Sequence, residues 1–392
     1  MVTVITRTID AAGGGNYTTF TAAEAAAPTL GTSSDLVAND EAIVFEVEAG
    51  TYAESLSFNS FLTSDATRNV TYKAAAGSEH GGVRGAGVNI EDSSTAYGSV
   101  VEIRDSFLVL EGLCVQATNG SSGSHTACDL AFNGADLEGI QLRNMILASG
   151  SARQVTGAVP GYSFGSAAAP LVFENCVIHR DASSGTAVNL PVNGTNVGYV
   201  EFTNTTIVGT ATGSRFIDSY VDSGATINVS FVNCLNFLES TARLSGFGPG
   251  THTVTGSGNV GGSNQAFPAA IRAGAQTWTF TTDTDETTSP STGSQVVYES
   301  GTGKLWDVAG NDAWQILTDL TDVPATDITG VTRSALGYNP GASETDAAPA
   351  VSALVSQAGS GSSAYPSGIR GAALRGLGIR GAAIRGQHLR GS

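Results

Sequence analysis

A repeat of 29 residues constrains the fold of this chain more than any other feature. Three segments align in the middle of the sequence, beginning at Phe173, Phe202 and Phe231, and both steps between them are 29 residues. Looser copies begin at Leu142 and Leu110. A fixed period of about 20–50 residues is typical of solenoids, in which each unit packs only against its neighbours.

The pattern inside each copy indicates which solenoid to expect. Short runs of alternating apolar residues, such as Leu171-Val172-Phe173, are separated by segments rich in Gly, Ser and Thr. This is a period-two pattern broken by turns, without the 3.6-residue period of a helix. Strands of successive copies would pair in parallel at a spacing of about 4.8 Å. We therefore predict an all-β fold, a right-handed parallel β-helix.

Two residue types mark fixed positions in the repeat. An asparagine stands at the same position of four copies: Asn144, Asn175, Asn204 and Asn233. Asparagine tolerates the left-handed conformation of a sharp corner, and stacked amides can hydrogen-bond along a ladder. Phe173, Phe202 and Phe231 are predicted to stack inside the helix. Both sets are interpreted as structural rather than catalytic.

Composition and charge exclude several classes of protein. Charged residues make up only 14% of the chain, which disfavours an all-α fold, and the formal net charge is −17. An acidic body of this kind repels nucleic acid and anionic membranes, so neither is expected as a partner. The four cysteines lack metal-ligand spacing and indicate buried free thiols. No motif for a metal or another cofactor is present, so none is expected.

The N-terminal stretch carries a family resemblance. Residues 13–24, from Gly13 through Tyr17 and Phe20 to Glu24, resemble the opening of pectin-lyase-like β-helix proteins, many of them encoded by tailed phages. The resemblance implies a capping helix at about Ala22–Ala27, ended by Pro28. Residues 42–52 are similar to the family's first full strand pair, and residues 327–340 to its closing segment. The start of the chain shows no export signal, so we expect assembly in a host cytoplasm.

Four segments are expected along the chain. Residues 1–264 form the β-helix with its cap, 265–320 a small antiparallel β insertion, 321–345 the closing segment, and 346–392 a linker and a C-terminal arm. The insertion contains all three tryptophans and resembles short modules of phage tail and fibre proteins. We predict a three-stranded meander there, with the aromatic rings as its core rather than as a sugar-stacking surface.

The C-terminal arm has a regular five-residue period. An aliphatic residue precedes and a glycine follows each of five arginines: Arg370, Arg375, Arg380, Arg385 and Arg390. The arm is similar to pentapeptide-repeat proteins but lacks their usual Asp or Asn. Residues 359–392 contain these five arginines and no acid, whereas the rest of the chain has 13 basic and 35 acidic residues. We therefore expect the arm to dock on an acidic protein surface or a neighbouring subunit, with nucleic acid as a weaker alternative.

Candidates for catalysis are few. β-Helix glycosidases need two or three neighbouring carboxylates, and Asp218 and Asp222 would share a strand face by alternation, with Asp181 one rung earlier. The chain lacks the catalytic signatures of those enzymes, and we expect no enzymatic activity. His80, His125 and His252 stand in polar segments and are expected to be exposed.

Three functions are consistent with these features. The first is a structural protein of a phage particle, a capsid decoration (cement) protein or a surface spike, anchored by its arm and trimeric by family habit. Its partners would be the major capsid protein or neighbouring copies, and a host glycan. The second is a tailspike-like depolymerase, and the third a non-catalytic glycan-binding adhesin. The missing catalytic signatures and the basic arm favour the first, at the surface of the virion.

Overall fold

The structure is a computed structural model of the 392-residue chain. It describes residues 1–60, 62–92, 98–118, 125–130, 136–149, 154–158, 163–180, 185–209, 214–232, 234–238, 244–247, 249–257, 260–261, 272–273, 296–299 and 304–307.

The described elements are nearly all short strands. The helical elements are α1 (Phe20–Ala26), a 3-10 turn (Ala27–Thr29) and α2 (Leu36–Asn39). In chain order the strands are β1 (Thr3–Ile9), β2 (Glu41–Val47), β3 (Gly50–Ala53), β4 (Leu56–Phe58), β5 (Val70–Ala74), β6 (Val88–Asp92), β7 (Gly98–Ile103), β8 (Leu108–Glu111), β9 (Cys114–Ala117), β10 (His125–Leu130), β11 (Gln141–Arg143), β12 (Ile146–Ser149), β13 (Gln154–Ala158), β14 (Leu171–Glu174), β15 (Val177–Arg180), β16 (Gly185–Asn189), β17 (Val197–Thr203), β18 (Thr206–Gly209), β19 (Ser214–Tyr220), β20 (Thr226–Val232), β21 (Leu235–Leu238), β22 (Leu244–Phe247), β23 (Thr251–Ser257), β24 (Val260–Gly261), β25 (Arg272–Ala273), β26 (Val296–Glu299) and β27 (Lys304–Asp307).

Three parallel sheets form the body. Sheet 1 runs β1-β2-β5-β8-β11-β14-β17-β20-β23, sheet 2 runs β3-β6-β9-β12-β15-β18-β21-β24, and sheet 3 runs β4-β7-β10-β13-β16-β19-β22-β25. From β2 onward the chain visits sheets 1, 2 and 3 in turn, and each circuit adds one strand to each sheet. This is the predicted right-handed parallel β-helix.

Strand register follows the sequence repeat. In sheet 1, Phe173 pairs with Phe202 and Phe202 with Phe231, one rung of 29 residues at each step. The three rings are buried and stack face to face, with centroids 4.7 Å and then 5.1 Å apart. Leu142 and Leu110 continue the same column on earlier rungs. The repeat therefore reflects one column of core side chains along the helix axis.

The corner between sheets 1 and 2 is made by the repeated asparagines. Asn144, Asn175 and Asn204 have φ values of 51°, 57° and 48°, the left-handed conformation expected of a corner. The Asn175 amide donates to the Asn144 side-chain oxygen at 2.6 Å. The fourth residue of the ladder, Asn233, lies outside the described residues. This bond links the corners of two successive rungs, whereas the buried side-chain amide of Asn204 makes no hydrogen bond with the described residues.

A second repeated contact follows each corner. The residue after the asparagine is Cys176, Thr205 or Cys234, and each donates to the main-chain carbonyl of a residue one rung earlier, at 3.1–3.3 Å. Burial raises the pKa of Cys176 and of Cys234 to about 12, so both remain thiols. The cysteines here serve as small buried donors, equivalent to the threonine hydroxyl.

Helix α1 caps the first rung. It begins two residues before the predicted start, because the Thr19 side chain accepts from Ala22 N and forms the N-cap. Pro28 falls in the 3-10 turn that follows, as expected of a residue that cannot continue the helix. The carboxylate of Glu54, from the turn between β3 and β4, accepts hydrogen bonds from Phe20 N and Thr21 N, and thereby ties the helix to the β-helix.

The far end of the helix extends past its predicted limit. Strand β25 pairs in parallel with β22 and lies beyond residue 264, so sheet 3 continues into the segment expected to be an insertion. Strands β26 and β27 pair in antiparallel fashion and lie in the segment for which a meander is predicted. The remainder of the meander, the closing segment and the arm lie outside the described residues.

Candidate functional site

A shallow polar groove lies on the outer face of sheet 1. Strand pairing aligns two rows across β17, β20 and β23. The rows are Tyr199, Asn228 and Thr253, and Glu201, Ser230 and Thr255. Together with the turn at Ser166 to Pro170 they enclose about 160 Å³. Alternation along each strand turns these side chains outward, while Val200 and Phe202 point into the core.

The wall of the groove depends on one glycine. Gly165 has a φ of +70°, and a Cβ at this position would lie 2.4 Å from the main-chain oxygen of Tyr199. Phe164, next to it, accepts from Tyr199 N at 2.8 Å and donates to the Val197 carbonyl at 3.1 Å. The turn therefore lies directly against β17, which no side chain larger than hydrogen at position 165 would permit.

The lining combines one aromatic ring with an amide, hydroxyls and one carboxylate. Glu201 is exposed, and Tyr199 and Asn228 are half-buried. An aromatic ring beside several convergent hydrogen-bonding groups suits the apolar face and the hydroxyls of a sugar. Glu201 is the single carboxylate among the described lining residues. Glu174 lies on the same outer face, one rung before Thr203. It forms an ion pair with Arg143 at 3.2 Å.

The carboxylates proposed from sequence lie elsewhere. Asp218 belongs to β19 of sheet 3, where it pairs with Asn189 and Ser245. Asp222 lies past the end of that strand, and the side chain of Asp218 is not described. Its carboxylate accepts from Gly194 N at 3.3 Å and from the Tyr220 hydroxyl, whose pKa is raised by this bond. Asp222 thus holds a turn together, and Asp181 lies outside the described residues.

A buried polar network covers part of sheet 2. Residues 75–87, which we term the strap, run from β5 to β6 across the outer face of this sheet. His80 is only 2% exposed, so the expectation of an exposed His80 is wrong. Gly82 N donates to its Nδ1 at 3.0 Å, which leaves Nε2 to donate to the Asn144 carbonyl at 2.6 Å. Burial lowers the pKa of His80 to about 4.

The strap reaches a second histidine. Arg84 donates to Gln116 at 3.0 Å and to Nδ1 of His179 at 3.0 Å, across the strands β9, β12 and β15. The Gln116 amide in turn donates to Asn89 at 2.8 Å and to Glu91 at 3.1 Å. His179 is buried because the strap lies over it, and the network holds the strap in place. His252 is also fully buried, again contrary to expectation, and burial lowers its pKa.

One further cation is buried inside the helix. Arg180 is fully buried and donates to the Thr186 carbonyl at 2.7 Å. Burial lowers its pKa to about 10. The sequence does not predict this burial, since a strand with alternating apolar residues gives no sign of a buried guanidinium.

Only some of the other predicted sites lie among the described residues. Within the described ranges there is no group of three or more His, Cys, Asp or Glu placed to hold a metal ion. In the same residues no helix is long and apolar enough to cross a membrane. The docking arginines of the C-terminal arm lie outside the described residues, and the side chain of His125 is not described.

Comparisons with known proteins give distant neighbours. No family model matches the chain, and no curated protein matches its sequence. Among solved structures, a pectin methylesterase from Aspergillus niger is 13% identical, covering 71% of this chain and 84% of its own, with a TM-score of 0.35. A pectin methylesterase from carrot is 13% identical, covering 71% and 89%, with a TM-score of 0.37. The fold of this chain follows from its own strand pairing.

Proposed function

We propose that this chain is a non-catalytic glycan-binding β-helix carried on the surface of a tailed-phage particle. The observation that carries the glycan role is the groove on sheet 1, where Tyr199 lies beside Asn228 and a column of hydroxyl groups. The stacked rungs hold these side chains at a fixed spacing before any ligand binds. A surface of this kind favours a repeating polysaccharide, since its own repeat presents equivalent positions along one axis.

The chemistry of the groove supports binding rather than cleavage. Glycoside hydrolysis requires a carboxylic acid and a second carboxylate on opposite sides of the bond. Glu201 is one carboxylate, and the described lining supplies no second. A depolymerase is the alternative, and its reaction would release reducing or unsaturated sugar ends.

A binding assay with matched tyrosines tests the glycan role. The probe is purified surface polysaccharide of the host, measured by isothermal titration calorimetry. Tyr199→Ala should weaken binding at least about tenfold, equivalent to 1.4 kcal/mol. Tyr220→Ala is the control, since Tyr220 is an exposed tyrosine at the end of β19 in sheet 3, away from the groove. Equal affinities of the two variants would rule out the groove. Sugar release that is lost in Glu201→Gln or Asp218→Asn would support the depolymerase.

The place of the protein in the particle is the second part of the proposal. A capsid decoration protein or surface spike, homotrimeric and anchored by the arm, accounts for five arginines without any acid at the end of an acidic chain. The test mixes purified protein with particles that lack it, with and without residues 359–392. Binding should require the arm, and truncated protein that binds equally well would contradict its role as the anchor.

A further inference from the structure

A cleft of about 500 Å³ opens between helix α1 and strand β4 at the N-terminal end of the β-helix. The apolar part of its lining comes from Ala25, Pro28 and Leu56. The polar part of its lining includes Glu24 and Ser57. The volume is within the range of about 300–1,000 Å³ that is usual for sites of small ligands.

A buried carboxylate lies in this cleft. Glu24 is 8% exposed, and its oxygens accept hydrogen bonds from Asn59 N at 2.8 Å and from the Tyr72 hydroxyl at 2.5 Å. Burial raises the pKa of Glu24, and the negative charge of Asp105 acts in the same direction. A cation that enters the cleft would offset both effects, because it supplies the opposite charge where water is excluded.

A second polar group in the cleft lacks a partner. The Ser57 hydroxyl oxygen is buried and makes no hydrogen bond with the described part of the chain. A buried hydroxyl without a partner is destabilising, so a ligand that donates a hydrogen bond to it relieves this cost. The complementary ligand therefore has an apolar stem for the walls and a cationic head with several donors.

We infer that this cleft receives an arginine side chain from the Arg-Gly arm of a second copy of the chain. A guanidinium has five N–H donors in a plane for the polar groups of the lining, whereas a lysine ammonium has three. Its aliphatic stem packs against apolar walls. The arm offers five arginines in a segment without acids, and the rest of the chain is strongly acidic. Charge complementarity thus selects this occupant.

The contact would join the arm of one copy to the first rung of the next. Such a heterologous contact forms a closed ring if the rotation between copies permits it, and a ring of three gives the predicted trimer. This inference deepens the proposed role in the particle by naming the surface that receives the arm. It does not depend on the glycan groove, and self-association is measured without particles or polysaccharide.

The experiment is sedimentation equilibrium of the full chain. Wild-type protein should associate, and Ala25→Leu should weaken association at least about tenfold by narrowing the cleft without touching Glu24. The matched control is Ala22→Leu, an equally exposed alanine of α1 that does not line the cleft. Thermal unfolding of both variants checks that they fold. A wild-type chain that stays monomeric, or equal association of the two variants, would overturn the proposal.

Mixing two variants tests the pairing itself. One carries Glu24→Gln with an intact arm, and the other carries glutamine in place of all five arm arginines with an intact cleft. Each alone should remain a single protomer, and their mixture should give a species of two protomers. A mixture that stays monomeric while wild-type protein associates would show that the arm binds elsewhere. In that case the arm would anchor the protein to particles through a surface other than this cleft.

Discussion

His80 donates a hydrogen bond of 2.6 Å from Nε2 to the main-chain carbonyl of Asn144, which stands at a corner two rungs away. The bond links the strap to the repeated corner asparagines, and it is buried at the His80 end and half-buried at Asn144. Because Nδ1 accepts from Gly82 N, the ring must be neutral. The strap is therefore stable only while His80 carries no charge.

The stability of the protein should fall between pH 6.5 and 4 because of His80. Its pKa is about 4 in the folded chain, against 6.5 for an ordinary histidine, so in this range the unfolded chain binds more protons. Stability is complete above pH 6.5 and decreases by at most about 3 kcal/mol as the pH falls to 4. Urea unfolding at several pH values measures it. His80→Gln, which cannot titrate, should flatten the curve over this range.

His388→Gln, in the arm, is the matched control for this titration and should leave the slope unchanged. Glu79 is the acidic neighbour that faces His80, and its charge slightly favours the protonated ring. A His80→Gln variant with the same pH dependence as wild type would mean that the strap does not depend on a neutral His80.

The strap should also be sensitive to one of its glycines. Gly87 has a φ of +62°, and a Cβ there would lie 2.5 Å from the main chain of Glu79 and of His80. Gly87→Ala should therefore cost about 2–4 kcal/mol, because both the conformation and the contact are unfavourable. Gly77→Ala is the comparison: its φ is +85°, but no atom lies within 4 Å of the added methyl group. It should cost about 1 kcal/mol. Similar unfolding free energies for the two variants would contradict the close approach.

Two substitutions at a corner asparagine should separate the effect of backbone conformation on stability from the effect of hydrogen bonding. Asn175→Gly keeps the left-handed conformation but loses the 2.6 Å bond to Asn144, at a cost of about 1 kcal/mol. Asn175→Ala loses the same bond, and the positive φ at this position destabilises alanine by about 1–2 kcal/mol more. Glycine has more conformational freedom than alanine in the unfolded chain, which lowers the stability of the glycine variant and reduces the difference between the two variants. Chemical denaturation should find alanine the less stable by about 0.5–1 kcal/mol, and the reverse order would exclude a conformational role.

The thiols after the corners should be replaceable by hydroxyls. Cys176→Thr retains a donor to the Leu142 carbonyl, as Thr205 has to the Phe173 carbonyl. It should change the unfolding free energy by less than about 1 kcal/mol. Cys176→Val fills similar space without a donor and should cost about 1 kcal/mol more than threonine. Equal thermal midpoints for the two variants would show that the sulfur serves only as packing.

Much of the fold could be predicted from the 29-residue period. The column through Phe173, Phe202 and Phe231 is a local property, because each rung repeats the same turn and the same inward residue. The asparagine corners follow for the same reason. The strap was not predicted, although β9, β12 and β15 carry apolar residues at successive positions. Such strands are buried on both faces, which is the signal that something covers them.

The sequence by itself determined the solenoid, its register and its corners, since these depend on contacts one period apart. Only the tertiary structure decided which polar residues are buried and which face solvent. His80 and His179 lie 99 positions apart, and Arg84 brings the strap to the second of them across three strands. The groove at Tyr199 likewise exists because β17, β20 and β23 align there beside the turn at Gly165. Contacts of this range depend on where the rungs and their connections come together in space, and no local pattern specifies that.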